Sequence, residues 1–198
     1  MPPKSWLSHL RPQKIPFRRQ FARASVALIL RQSESGGKEI LFIQRAHRRD
    51  DPWSGDMAFP GGRLQPGDAS ARAAAERETL EETGMDLGRH GRYRGRLSDL
   101  VTRHHSRWRP MVVTPYVFEW EGPEALLPNH EVKRIMWISL DYLAAGSNKS
   151  RLTWHTPLGN MRVPCCRYQD ACIWGLSYSM LQELLAKNHN LAQSTSSP

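Results

Sequence analysis

The sequence lacks any long uninterrupted apolar run, and no segment approaches the ~20 apolar residues that a helix needs to cross a bilayer. The apolar stretch at residues 24–30 follows a basic segment, as the core of a signal peptide does. It has no convincing small-residue cleavage site, however, and its β-branched residues favour a buried strand. We therefore expect a cytoplasmic protein that has no membrane partner.

Cysteine is scarce, with Cys165, Cys166 and Cys172 the three in the chain. The adjacent Cys165 and Cys166 are poor disulfide partners for each other, and an odd number in a chain not expected to be secreted fits reduced thiols. A zinc site would need a fourth ligand, and the spacing to the nearest candidate, His155, is not typical of zinc sites. We expect these thiols to be buried or idle.

Acidic residues are missing before Glu34, although the net charge of the chain is +9. The first 23 residues contain the basic residues Lys4, Arg11, Lys14, Arg18, Arg19 and Arg23. This basic arm at residues 1–22 either attracts an anionic partner, such as a nucleotide, a nucleic acid or a membrane surface, or is a solvated segment. Basic and aromatic residues do not alternate over a defined module, so a nucleic-acid partner is not expected.

The length of 198 residues fits a single domain, which we place at residues 23–188, after a partly ordered arm (1–22) and before a polar tail (189–198) expected to be disordered. Hydrophobic patterns predict strands over 24–32, 39–45, 92–97, 111–120 and 132–139, a hairpin over 152–163, helices over 69–83 and 171–187, and one helical turn over 141–145. Charge density predicts a loop over 101–110, and Pro115 suggests that its strand lies at an edge or contains a bulge.

The most informative stretch runs from residue 59 to residue 85 and reads FPGGRLQPGDASARAAAERETLEETGM. Proline fixes φ and glycine permits positive φ, so Pro60-Gly61-Gly62 predicts a turn. Asp68 or Ser70 is a suitable N-cap for the helix that follows, and Gly84 is a suitable residue to end it.

Within this helix, Glu78, Glu81 and Glu82 share one face, because residues three and four positions apart are neighbours on a helix. A cluster of glutamates on a surface helix is usually a solvated acidic face. Three carboxylates together also suit a hard divalent cation, which prefers oxygen ligands. The glycine turn favours the metal hypothesis, since it lets backbone groups approach a metal or phosphate.

These residues resemble the Nudix box, G-x5-E-x7-R-E-U-x-E-E-x-G-U, where U is a bulky aliphatic residue. Gly62 and the run from Arg77 to Met85 (RETLEETGM) carry the match. The chain departs from the box at three points: Asp68 replaces glutamate, eight residues rather than seven separate Asp68 from Arg77, and Thr79 stands at the first U position. The extra residue falls in the loop and first helical turn, so the acidic face should be intact.

The resemblance implies an α/β fold, a Nudix-like α/β/α sandwich with a mixed β-sheet, extending over about residues 25–139. It also implies metal-dependent hydrolysis of a diphosphate linkage in a nucleoside diphosphate derivative, with Mg²⁺ or Mn²⁺ as cofactor. The metal ligands it implies are Glu81 and Glu82, with Glu78 as a ligand or base and the carbonyl of Gly62 as a further ligand. We expect Arg77 to pair with a box carboxylate and orient it.

The general base and the substrate contacts are less defined. Members of this family take the base from different places, and Glu119 and Glu131 are the candidates here. The loop around Arg107, Trp108 and Arg109 combines cations that suit phosphate with an aromatic ring that suits a nucleobase. Glu119 and Glu131 are each more typical of surface acids, and the loop is equally compatible with a solvated role.

Several sequence features resemble the coenzyme A pyrophosphatase branch of the family. Gly55 precedes FPGG as in that branch's G-x3-F-P-G-G, and residues 173–176 (IWGL) resemble its C-terminal helix. The branch's L-L-T-x-R-S reads LFIQRA at residues 41–46, and Asp51 stands where its signature has arginine. The leading prediction is therefore coenzyme A or acyl-coenzyme A, with nucleotide sugars, dinucleotides or nucleoside triphosphates as alternatives.

Other functions on the same fold stay open. A non-catalytic, nucleotide-binding regulator would be favoured by loss of box acids, yet all three helix acids are present. An RNA pyrophosphohydrolase would suit the basic charge, but the chain has no separate RNA-binding module. The cysteine-and-glutamate site that would favour a diphosphate isomerase is also missing. The oligomeric state is unknown, and a homodimer is an open alternative.

Overall fold

The computed structural model describes residues 12–34, 36–47, 53–103, 110–123, 126–156 and 159–194. Eight strands form one mixed sheet: β1 (Ala22–Gln32), β2 (Lys38–Arg45), β3 (Met57–Ala58), β4 (Gly61–Arg63), β5 (Gly91–Arg96), β6 (Leu100–Arg103), β7 (Pro110–Trp120) and β8 (Val132–Ser139). β1 and β7 are parallel, and the other pairings recorded in this sheet are antiparallel. The five strands predicted from the sequence are confirmed to within two residues at either end.

β1 and β2 begin as the predicted hairpin and then diverge. They pair at Leu30–Gln32, whereas the earlier part of β1 pairs with β4 and the later part of β2 pairs with β3. The segment from β3 to β4 therefore fills the gap between the two long strands. The Pro60 carbonyl accepts from the Ala27 N–H at 2.8 Å, which fixes the glycine turn in the middle of the sheet.

Helices cover both faces of this sheet, because the central strands are apolar on both sides. Ala27 and Ile29 of β1 face α1 (Ala71–Thr83) and α2 (Leu87–His90). Leu28 and Leu30 alternate with them and face α3 (Leu140–Ala144) and α4 (Gly175–Ser194). The predicted α/β/α sandwich with a mixed sheet is confirmed.

Of the two alternatives for Pro115, the edge strand is wrong, since β7 is bordered by β1 on one side and by β5 and β6 on the other. An irregularity is present in the pairing of β7 with β5, where the register shifts between Tyr93 and Gly95. Pro115 lies opposite the break between β5 and β6, where its carbonyl accepts from the Leu97 N–H at 3.0 Å. A proline is tolerated there because the missing N–H faces a gap in the ladder. The predicted loop over 101–110 is also partly wrong, because its first three residues extend β6.

The C-terminal part forms a second, three-stranded antiparallel sheet. It consists of β9 (Lys149–Thr156), β10 (Gly159–Tyr168) and β11 (Ala171–Trp174). The first two strands are a longer version of the predicted hairpin, whose tip lies outside the described residues. The predicted helix over 171–187 begins instead at Gly175, because Ala171 and Ile173 alternate into the core with the period of a strand. The helix then continues to Ser194, into the tail that was expected to be disordered.

The cysteines are free thiols, and Cys165 and Cys166 are buried, as expected. No helix in the described part of the chain has the length and apolar character needed to span a membrane. Residues 12–20 of the basic arm lie against the loop between β5 and β6, where the Ile15 N–H donates to Asp99 at 3.1 Å. The division of the chain into arm, domain and tail stays a prediction.

Candidate active site

The helix that carries the three glutamates, α1, has defined ends. Ser70 has extended backbone angles, and its hydroxyl accepts from the Ala73 N–H at 3.0 Å, so Ser70 rather than Asp68 is the N-cap. Gly84 adopts a φ of 77° and ends the helix, as predicted. Thr79, which replaces a bulky aliphatic residue of the box, is buried and donates its hydroxyl to the Ala75 carbonyl at 2.7 Å. The substitution is thus accommodated without an unpaired polar group.

Two adjacent glycines bring β4 against both β1 and α1. A Cβ on Gly61 would lie 2.2 Å from the Ser25 carbonyl oxygen, and its φ of 148° is one that other residues rarely adopt. A Cβ on Gly62 would lie 2.4 Å from the carboxyl carbon of Glu78. Gly61 therefore allows β4 to approach β1 closely, and Gly62 leaves room for the Glu78 carboxylate of α1.

Glu82 is buried at the centre of this contact, and its Oε2 accepts from the Gly61 N–H at 2.8 Å. Burial raises the pKa of Glu82 to about 8; the Glu78 charge also raises it, while the Gly61 N–H and Arg45 act in the opposite direction. Burial likewise raises the pKa of Glu78, which its contact with Arg77 only partly offsets. Two carboxyl groups whose negative charge is disfavoured thus lie together beside the glycine turn.

Arg77 joins the loop, the turn and the helix. Its Nε and Nη2 donate to both oxygens of Asp68 at 2.9 and 3.2 Å, and Nη2 also donates to the Arg63 carbonyl at 3.2 Å. Nη1 donates to Glu78 at 2.9 Å and to Glu81 at 3.3 Å. Asp68 and the extra residue before Arg77 depart from the box pattern, yet the ion pair between this acid and Arg77 still forms. The Arg77 hydrogen bond also lowers the pKa of Asp68.

No three carboxylate, imidazole or thiol side chains within the described ranges converge closely enough to enclose a cation. Glu78 and Glu82 lie against the Gly61-Gly62 turn. Glu81 instead points toward Arg77, and 54% of its side chain is exposed. The donors nevertheless fit a hard divalent cation, because they are oxygen atoms and the charge of Glu78 opposes ionisation of Glu82. A cation between them would relieve that repulsion.

Glu131, one of the two candidate bases, lies at the same site. The Asn129 N–H donates to the Glu82 carbonyl at 3.3 Å, and the Asn129 side-chain oxygen accepts from the Glu131 N–H at 2.8 Å. The charge of Glu131 also raises the pKa of both Glu78 and Glu82. The loop before β8 is thereby fixed to the end of α1 and brings a fourth acid near the box.

Glu119, the other candidate, lies elsewhere. It pairs with Leu30 of β1, whereas Gly62 pairs with Ser25, and five residues of strand correspond to ~16 Å. The Glu119 carboxylate is bound by the guanidinium of Arg94. These contacts make Glu119 a structural ion-pair partner.

The predicted substrate contacts Arg107, Trp108 and Arg109 lie outside the described residues. Sequence reasoning did not select Arg45, whose charge lowers the pKa of Glu82, or Asn129, which positions Glu131. The signal for Arg45 was present in its place at the end of β2, in the segment compared with L-L-T-x-R-S. Asn129 carried no sequence signal that distinguished it from an ordinary loop residue.

Comparisons with known proteins agree with this geometry. The profile of the NUDIX domain matches residues 21–156. Two Schizosaccharomyces pombe proteins are similar in sequence. Uncharacterized protein C14C4.10c is 34% identical over 116 residues, which is 57% of this chain and 35% of that protein. Probable nudix hydrolase C6G9.05 is 40% identical over 76 residues, or 38% of this chain and 25% of that protein. The chain thus spans about a third or less of the length of these curated relatives.

Solved structures resemble the fold at low sequence identity. A MutT/nudix family protein from Enterococcus faecalis has a TM-score of 0.55 at 17% identity, covering 95% of this chain and 67% of that one. The NUDIX domain of Shewanella oneidensis NrtR, complexed with ADP ribose, has a TM-score of 0.54 at 14% identity, covering 97% and 99%. A C. elegans Ap4A hydrolase has a TM-score of 0.52 at 21% identity, covering 63% and 84%. These likenesses establish the fold.

Proposed function

The chain belongs to the NUDIX domain family, and from this premise we propose that it is a metal-dependent pyrophosphohydrolase that cleaves the diphosphate linkage of a nucleoside diphosphate derivative. The proposal rests on the position of Glu78 and Glu82. Both carboxyl groups have raised pKa values, and both lie directly against the Gly61-Gly62 turn. An acidic face that served only solubility would point into water and would need no such close approach.

The residues that would bind the metal are Glu78 and Glu82, the carbonyl of Gly62, and Glu81 once it turns away from Arg77. A divalent cation there, Mg²⁺ or Mn²⁺, would lower the pKa of water and neutralise charge developing on phosphate oxygens. Arg77 fixes the loop and the helix in register through Asp68, Glu78 and Glu81. It acts as a positioning residue.

We assign the general base to Glu131. In hydrolysis, a water oxygen forms a new bond to phosphorus, the bridging P–O bond breaks with its electron pair going to the leaving phosphate, and the water gives up a proton. Glu131 is suited to accept that proton because it lies beside the box acids and is partly exposed. Its backbone is fixed to the end of α1 through Asn129.

The leading substrate is coenzyme A or an acyl-coenzyme A. Two segments that carry the resemblance to the coenzyme A branch are in contact, since the Trp174 Nε1 donates to the Asp56 carboxylate at 3.0 Å. Asp56 follows Gly55, whose φ is 81°, and this glycine lies against the ring of His47. Arg107, Trp108 and Arg109 are proposed substrate contacts, and nucleotide sugars, dinucleotides and nucleoside triphosphates are the alternative substrates.

The test is a screen of coenzyme A, ADP-ribose, NADH, diadenosine polyphosphates and nucleoside triphosphates with Mg²⁺ or Mn²⁺, read by mass spectrometry. Coenzyme A should yield 3′,5′-ADP and 4′-phosphopantetheine, and chelator should abolish the reaction. Preference for another substrate, with coenzyme A untouched, would reject the coenzyme A assignment alone. Absence of any product, together with ligand-dependent thermal stabilisation, would favour the regulator alternative.

Two matched variants test the base. Glu131→Gln should lower kcat by about 10²-fold or more, while Glu119→Gln should leave turnover close to that of the wild type. Circular dichroism and thermal unfolding check that both variants fold. Equal losses in the two variants, or a loss in Glu119→Gln alone, would contradict the assignment.

A further inference from the structure

Two tryptophans distant in the sequence, Trp154 and Trp174, lie together beside the turn that contains Trp53. Trp174 of β11 donates its Nε1–H to Asp56 at 3.0 Å, and its ring lies 5.7 Å from that of Trp154 on β9, at 52°. The Asp56 N–H in turn donates to the Trp53 carbonyl at 3.1 Å. We call Trp53, Trp154 and Trp174 the tryptophan rim.

The rim is fixed in place and yet remains accessible. Trp53 and Trp154 are 39% and 45% exposed, although tryptophan is among the largest apolar side chains. The hydrogen bond to Asp56 and the contact between the indoles restrict Trp174, so the rim offers a positioned aromatic surface.

The rim is joined to the box by short contacts. The Asp56 carbonyl accepts from the Arg45 N–H at 3.0 Å, and the segment that follows Asp56 leads to Gly61, whose N–H donates to Glu82 at 2.8 Å. On the opposite side of β2 lies β8, and its Arg134 forms an ion pair with Asp170 in the turn between β10 and β11. The second sheet is therefore anchored on both sides of the end of β2 that faces the box acids.

We propose that the tryptophan rim binds the nucleobase of the substrate by stacking, with Trp154 as the principal contact, while the diphosphate lies at the box acids. The inference rests on the proposed function and extends it to a specificity subsite. Stacking tolerates any base, because every base presents a π-face. The rim thus selects for a nucleoside without selecting which one.

The test compares Trp154→Ala and Trp154→Phe with Phe17→Ala, which removes an exposed aromatic ring from the basic arm. Trp154→Ala should raise KM about tenfold, with kcat within about twofold of the wild type, and Trp154→Phe should restore most of the loss. Phe17→Ala should change neither constant. A change in KM alone indicates lost binding of the nucleobase. If Trp154 had only a structural role, its substitution would lower kcat and thermal stability together.

Calorimetry without metal provides a second measurement, independent of hydrolysis. AMP, GMP, CMP and UMP should each bind about tenfold more weakly to Trp154→Ala, whereas ribose 5-phosphate should bind both proteins alike. Unchanged nucleotide affinity in Trp154→Ala, a loss seen only in Trp108→Ala, or failure of the wild type to bind any nucleotide would overturn the proposal. If the screen yields no product but Trp154→Ala still weakens nucleotide binding, the rim is supported and the hydrolase function fails.

Discussion

Glu82 is a carboxylic acid with 4% of its surface exposed, fixed by a backbone N–H and surrounded by other acids. The raised pKa of about 8 means that the folded protein retains this proton over a range in which the unfolded chain has released it. The fold therefore bears a cost at neutral pH that a bound cation can offset. This is a site arranged for ligand binding at the expense of stability.

The stability of the metal-free protein should consequently fall as pH rises from 4.5, the ordinary value for glutamate, to about 8. In this window the unfolded state binds fewer protons than the folded state, so the free energy of unfolding decreases with pH. Glu82→Gln should remove up to ~5 kcal/mol of that decrease. Urea denaturation in chelator at pH 5, 6.5 and 8 measures the difference.

Magnesium is the control for this prediction. At pH 8 it should stabilise the wild type and leave Glu82→Gln nearly unchanged, while at pH 5 it should stabilise neither strongly, since ligands must lose their protons to bind. Parallel stability curves for the two proteins across the pH range would contradict the pKa argument.

At the scale of elements, the box is a loop and a helix joined by a single guanidinium. Arg77 contacts Asp68, the Arg63 carbonyl, Glu78 and Glu81, which belong to three consecutive segments of the chain. These simultaneous contacts require a planar group with several N–H donors, which arginine has. The ammonium group of lysine is a compact point charge and cannot bridge the same set of oxygen atoms. The position of the metal-binding face relative to the glycine turn thus depends on one side chain.

Arg77→Lys should therefore lower turnover by at least tenfold, with a stability loss of about 1 kcal/mol, since the charge persists but the bridging bonds do not. Arg72→Lys is the matched control on the same helix, because Arg72 contacts Glu76 at 3.2 Å and lies 5.0 Å from the Tyr93 ring centroid, and these contacts involve none of the box acids. Steady-state kinetics and thermal unfolding of both variants measure the effects. Wild-type turnover in Arg77→Lys would show that the bridge is dispensable.

Local signals predicted α1 and its ends because the capping residues, the glycine turn and the acidic spacing all lie within about 25 residues of sequence. The start of α4 was misplaced because four residues of β11 are too short to show strand periodicity against the helix that follows. The sequence could not decide between Glu131 and Glu119 as the general base, because the decision depends on which segment contacts α1 in the folded chain. The tryptophan rim was missed for the same reason, since Trp174 and Asp56 are 118 residues apart.

At the scale of the whole molecule, the described part of the basic arm and helix α4 meet at the loop between β5 and β6. The Gln13 carbonyl accepts from the Asp99 N–H at 2.9 Å, and Glu183 of α4 accepts from the Ser98 N–H at 3.1 Å and from its hydroxyl at 2.9 Å. Arg18 of the basic arm donates to both oxygens of Asp99, at 3.0 and 3.2 Å. At least one cation of the arm is thus part of the fold.

Asp99 has a fully buried side chain, and burial alone would raise its pKa. The Thr114 hydroxyl, the Ile15 N–H, Arg96 and Arg18 outweigh that effect and lower the pKa below 3.8. Because the folded-state pKa is depressed, these contacts stabilise the protein above pH 3.8 and are lost as the pH falls through the lowered value. The arm therefore stabilises the domain at neutral pH.

Arg18→Ala should accordingly destabilise the protein by about 2 kcal/mol at pH 7, because it removes a charge-assisted pair from a buried carboxylate. Arg19→Ala, at the exposed neighbouring position, should change the free energy of unfolding by less than about 0.5 kcal/mol. The difference between the two variants should shrink as the pH is lowered below 3.8, since protonated Asp99 no longer attracts the guanidinium. Urea unfolding at pH 7 and pH 3 measures both effects, and equal stability of the two variants at pH 7 would show that the arm does not stabilise the domain through Asp99.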